Sequence, residues 1–165
     1  SHSGEPIVGS RGVDLTDPRY IEGLQMAAGW VGTISPPEVL SFDEEAARAL
    51  FQRGNAAFMR NLPYAFPLLE SPISAVSGKV GAAFMPSAHD NPPVSTHFPL
   101  VDTYELIEAN IRMRPAHLIG KGYAEGSKVF QEAVHAVLRG DGNAATVMAE
   151  AQTQIREILV KARQP

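Results

Sequence analysis

Few side chains in this sequence are placed for covalent chemistry. There is no cysteine, which removes thiolate nucleophiles, disulfides and cysteine-held zinc. The five histidines make no metal signature. His2 is terminal, His89 and His97 share one Pro-rich stretch with Asp90, and His117 and His135 fall in different elements. A zinc site on a helix wants a close pair such as i and i+4. No serine sits in a G-x-S-x-G elbow, and neither a P-loop nor a dinucleotide glycine pattern occurs. Asp43, Glu44 and Glu45 read as a helix start favoured by the macrodipole, not as a catalytic pair. Asn61 and Tyr64 put a planar amide and an aromatic face at one helix start. Arg114 precedes Pro115, so its backbone is extended and can aim a guanidinium fork at a ligand hydroxyl. Each has a plainer reading: Asn61 as a helix N-cap, Tyr64 as a core aromatic, Arg114 as a surface arginine beside Arg112. Arg60 reads as paired with a carboxylate.

Composition narrows the class. The 165 residues make one domain with room for a sizeable core. With 44% hydrophobic and 19% charged residues the chain reads as globular. A net charge of −4 gives no basic footprint for nucleic acid. No apolar run approaches the roughly 20 residues that span a bilayer. The start, Ser1 to Pro6, lacks a signal-peptide core and reads as a cut or tag-derived end.

The elements that must carry these residues follow from caps and periodicity. Asp17 and Pro18 read as N-cap and first residue of a helix with Ile21, Leu24, Ala28 and Val31 on one face, ended by Gly32 and Pro36-Pro37. Ser41 and Glu44 form a capping box for a helix burying Ala47, Leu50 and Phe51, which Gly54 stops. The apolar run Asn55 to Met59 predicts a buried strand, and Lys79 to Met85 a second. Between them Asn61 caps a helix running to about Glu70, with Pro63 in its first turn. Pro86 to Pro99 is rich in proline and lacks a period, as a loop or linker does. Helical signal then returns. Leu100, Tyr104, Ile107 and Ile111 share a face. Val129, Phe130, Ala133, Val134, Val137 and Leu138 make the strongest stripe. Gly140-Asp141-Gly142 is a turn, and Asn143 caps a last helix carrying Val147, Ala151, Ile155, Ile158 and Leu159. The helices over 123–139 and 143–162 are expected to pack together.

Three stretches together resemble one family. Leu50 to Phe66 is similar to a signature of the extracellular carbohydrate-binding proteins that feed ABC transporters, the family 1 solute-binding proteins of the maltose, trehalose and multiple-sugar group. Leu62 stands where that family usually has tryptophan. Lys79-Val80-Gly81-Ala82-Ala83 with Met85-Pro86 resembles the family's glycine-containing strand. Arg114-Pro115, Tyr123 to Ser127 and the helix through Ala133 to Gly140 resemble its C-terminal segment.

The resemblance implies an α/β fold, one lobe of the periplasmic-binding-protein type II fold, with a small sheet that includes 55–59 and 79–85 under several helices. The strand-helix repeats of a first lobe are missing, and residues 87–96 stand as a short linker where the excursion to that lobe would be. The whole of 1–165 is then a single domain, the second lobe. The implied function is carbohydrate binding for an ABC sugar importer, without catalysis, cofactor or metal. The implied partners are a mono- or oligosaccharide, held weakly by one lobe, and the permease subunits. The implied location is periplasmic or extracellular, with a lipoprotein anchor in the full precursor as one form. The implied ligand-binding residues are Asn61, Leu62, Tyr64 and Arg114. Trp30, the sole tryptophan, reads as a core or interlobe residue. The competing reading is a structural module without ligand that self-associates as a homodimer through the exposed lobe face.

Overall fold

The computed structural model of the chain describes residues 8–9, 12–82 and 120–162. In chain order the elements are β1 (Val8–Gly9), β2 (Gly12–Val13), α1 (Pro18–Trp30), α2 (Glu44–Gln52), α3 (Ala65–Leu69), α4 (Tyr123–Arg139) and α5 (Ala144–Ala162). Short 3-10 turns lie at Pro37–Ser41 and Gly120–Gly122. These residues gather into two compact units, one of residues 8–40 with 120–162, the other of residues 41–82.

In the first unit α4 and α5 pack on each other, and α1 packs against both. The stripes read from the sequence are the faces that meet. Ala133 and Val137 of α4 and Met148, Ala151 and Ile155 of α5 are buried, with Val129, Phe130, Val134, Val147 and Leu159 around the core. The turn between them depends on two glycines. Gly140 sits at φ 83°, where a Cβ is penalised, while the Gly140 N–H reaches Val137 O at 3.0 Å and the Asp141 N–H reaches Ala136 O at 2.9 Å. At Gly142 an added Cβ would lie 2.7 Å from Val147 Cγ2. Asn143 Oδ1 then accepts the Ala145 N–H at 2.9 Å, capping α5.

The segment after β2 completes this core. Val13 and Leu15 are buried, Leu15 to 1% exposure, against Ala133, Met148, Ala151 and Ile155. Polar groups of α5 hold that segment in place. Gln152 Oε1 accepts the Leu15 N–H at 2.6 Å, and one turn on Arg156 donates to Val13 O at 3.1 Å. Strand β2 pairs antiparallel with β1, Val8 opposite Val13 and Gly9 opposite Gly12.

Helix α1 begins where its cap predicts. Asp17 Oδ1 accepts the Arg19 N–H at 2.9 Å, and Pro18 occupies the first turn, where no N–H is needed. The Arg19 side chain binds the same carboxylate at 2.7 Å and holds the Asp17 carboxyl below the usual range, with the backbone bond adding to it. A carboxyl lowered on folding stabilises the fold above its unfolded pKa, and that contribution is lost as pH falls through the folded one. Asp17→Asn keeps a capping oxygen but drops the charge. Its melting temperature should therefore lie below that of the parent at neutral pH, with the gap closing on acidification. At the other end Val31 leaves the helix extended, and Thr33 Oγ1 lies 2.7 Å from Gly29 O and 3.0 Å from Trp30 O, supplying carbonyls that the helix leaves open.

The second unit corrects several expectations. The cap of α2 is Asp43, whose Oδ1 accepts the Ala46 N–H at 2.8 Å; Ser41 belongs to the preceding 3-10 turn. Residues 55–59 are not a strand. No described residue pairs with them in a ladder, and Phe58 is 93% exposed, so this short apolar run neither sits in a sheet nor faces a core. Residues 79–81 are likewise outside any strand, Ala82 has bridge geometry only, and 83–85 lie outside the described residues. The small sheet expected at 55–59 and 79–85 is thus absent among the described residues. A lone apolar run shows burial tendency but not a ladder partner, and the ladder is what makes a strand. Helix α3 is shorter than expected, starting at Ala65. It buries Ala65 and Leu69 and packs on α2, while the Ala75 N–H bonds Gln52 O at 3.1 Å. The helical face from Leu100 to Ile111, the linker at 87–96 and Arg114 all lie outside the described residues, and so does much of what the single-domain expectation rests on.

Candidate functional site

The site is built on α2, within the second unit. A helix brings residues three and four apart to one face, so Glu45, Arg48 and Gln52 form a row. Arg48 Nε and Nη2 both reach Glu45 Oε2, at 3.0 and 2.6 Å, as a two-pronged pair. Arg48 Nη1 donates to Gln52 Oε1, and Gln52 Nε2 reaches Leu68 O at 3.3 Å. The other carboxylate oxygen of Glu45 is left for a different donor, and the Tyr64 hydroxyl takes it at 2.7 Å. The row therefore ties α2 to the segment 61–69 at both ends.

The charges respond to these bonds. The Glu45 carboxyl is held below its usual range, first by the Arg48 guanidinium and then by the Tyr64 hydroxyl. The Tyr64 phenol is raised, first because ionising it would lose the hydrogen bond it donates to Glu45, and then by burial and by the charge of that carboxylate.

Asn61 holds the same segment from below. Its Oδ1 accepts the Leu62 N–H at 2.7 Å, and its Nδ2 donates to Glu44 O at 2.8 Å and contacts Met59 Sδ at 3.5 Å. Asn61 is therefore a brace between α2 and residue 62, not the cap of α3, whose N-terminal residue Tyr64 makes no side-chain cap bond. With the segment so braced, Leu62 is 57% and Tyr64 40% exposed. The structure thus leaves Leu62 and Tyr64 exposed beside a partly covered Asn61, and Arg114 lies outside the described residues. Trp30 belongs to the other unit and is partly exposed at the end of α1.

Reading the sequence missed Glu45, Arg48 and Gln52 as a support. Their spacing on α2 is legible, but the partner of Glu45 stands 19 residues further on. Beside the row, Arg48, Ala49, Gln52, Arg53, Ile73 and Ala75 line an open, shallow groove of about 450 Å³. Among the described residues no three side chains gather to hold a metal ion, and no helix is long and apolar enough to cross a membrane.

No family model matches the chain. A probable ABC transporter-binding protein of Deinococcus radiodurans is 37% identical to it over 97 residues, which is 58% of this chain and 23% of that protein. The maltose-bound MalE3 of T. maritima shares its fold, with a TM-score of 0.77 at 22% identity over 94% of this chain and 54% of that one. The chain thus spans about half the length of MalE3, and its matched stretch about a quarter of the Deinococcus protein. The chain is thus similar in sequence to a probable ABC transporter-binding protein and in fold to MalE3.

Proposed function

We propose that the chain is a carbohydrate-binding lobe of the solute-binding component of an ABC sugar importer, acting by binding alone. The observation that carries this is the braced segment 61–64, which leaves Leu62 and Tyr64 exposed. A sugar offers C–H faces to an aromatic ring and hydroxyls to planar polar groups. In this reading Tyr64 supplies the ring, Leu62 an apolar flank and Asn61 a planar amide. The maltose held by MalE3 and the transporter named for the Deinococcus protein support the sugar and the permease subunits as partners, at the periplasmic or extracellular face.

One lobe gives a ligand half an enclosure, so the affinity should be weak, on the order of millimolar. Chemical-shift titration of the labelled chain with maltose, trehalose and longer glucosides tests this. Saturable shifts centred on residues 61–64 are expected. Shifts confined to residues away from that segment would sink the site, and micromolar affinity would sink the one-lobe account. Leu62→Trp restores the aromatic that the resembled family usually carries. An aromatic contact is worth about 0.5–1.5 kcal/mol beyond its area. The same titration should therefore show binding up to about tenfold tighter, and unchanged affinity would mean that position 62 does not face the ligand.

A further inference from the structure

An exposed tyrosine ring is a poor recognition surface if it is free to turn. Tyr64 is 40% exposed and stands at the N-terminal end of a five-residue helix. Its hydroxyl nevertheless has one well-defined partner, Glu45 Oε1 at 2.7 Å. That carboxylate is itself fixed, because Arg48 grips its other oxygen with two N–H groups and leans on Gln52, which reaches Leu68 O. The two carboxylate oxygens thus have separate tasks, one held by the arginine and one holding the phenol.

Resting on the reading of Tyr64 as a ligand-facing ring, we propose that Glu45, clamped by Arg48, is a positioning residue that sets the Tyr64 ring for sugar recognition. Glu45 itself touches no ligand. It acts by removing the ordering that binding would otherwise have to impose on the ring, a cost that preorganisation avoids. The groups that bear on the phenol electrostatically are Glu45, Arg48 and Glu44. Glu45 and Glu44 both disfavour its ionisation, and Arg48 opposes them. The phenol therefore stays a protonated donor well above neutral pH.

Two measurements test this. Ultraviolet titration, with Tyr64→Phe as the difference standard, reads the phenol directly and needs no ligand. In Glu45→Gln the neutral amide can still accept the hydroxyl proton, but the charge is gone, so the Tyr64 phenol should titrate at lower pH than in the parent. The second measurement is a double-mutant cycle by chemical-shift titration with maltotriose. Glu45→Ala should weaken binding about two- to tenfold in the parent, the range that follows from ordering one side chain. It should have no further effect in the Tyr64→Phe background, where the tether is already cut. A phenol titration unmoved by Glu45→Gln overturns the proposal. So does an affinity unmoved by Glu45→Ala while Tyr64→Ala weakens it, or equal losses from Glu45→Ala in both backgrounds. If Tyr64→Ala leaves affinity unchanged, or the parent shows no saturable shift, the failure belongs to the sugar-site reading itself and takes the proposal with it.

Discussion

Leu15→Ala should destabilise the first unit by about 2–5 kcal/mol, the range for deleting a fully buried leucine when its surroundings cannot collapse. Leu15 is the most deeply buried large side chain among the described residues, at 1% exposure. Its neighbours leave little room to close the gap. Ala133 and Ala151 carry only a methyl group and cannot extend into it, and Met148 and Ile155 are already buried in the same cluster. A loss of this size is a large part of the 5–15 kcal/mol that separates a typical folded domain from its unfolded state. Urea unfolding followed by the fluorescence of Trp30, the sole tryptophan, reads this unit specifically, because Trp30 ends α1 within it. The midpoint should fall with the slope unchanged. A change under 1 kcal/mol would mean that the segment after β2 does not close this core.

The same core shows what was legible in the sequence. Helices α4 and α5 were, because Ala133, Val137, Ala151 and Ile155 recur at helical spacing and Gly140 with Asn143 marks the turn. The start of α1 was legible from Asp17 and Pro18. Leu15 was not, because Val13 and Leu15 make only two alternating apolar positions, too short a run to establish a period. Gln152 was not either, since a glutamine beside an apolar stripe reads as surface, and the amide it serves lies 137 residues away. The run at 55–59 misled for a related reason: apolar character was visible, the missing ladder partner was not. At the candidate site the sequence placed Asn61 and Tyr64 in one short segment. It could not show that the Asn61 amide serves as a brace to Glu44, or that a carboxylate from α2 meets the phenol. Local spacing is written in the chain, whereas contacts between distant segments depend on how the helices dock.

Gln152→Leu should cost about 1–3 kcal/mol, although the replacement is apolar and similar in size. Gln152 is a buried polar residue at 9% exposure, and its Oε1 accepts the Leu15 N–H at 2.6 Å. Leucine fills the space but offers no acceptor. The Leu15 amide, which water cannot reach behind its own buried side chain, would then be left unpaired, and an orphaned buried donor carries its full desolvation cost. Arg156, one turn further on, holds Val13 O at 3.1 Å but is largely exposed, so Arg156→Ala should cost less. The signature that separates lost hydrogen bonding from lost packing is amide exchange. The Leu15 N–H should exchange faster in Gln152→Leu while the amides of α4 keep their protection relative to the new global stability. Because Leu15 and Gln152 share one contact, combining Gln152→Leu with Leu15→Ala should lose less than the sum of the two. Strict additivity would show that the glutamine stabilises α5 by some route other than the segment it holds.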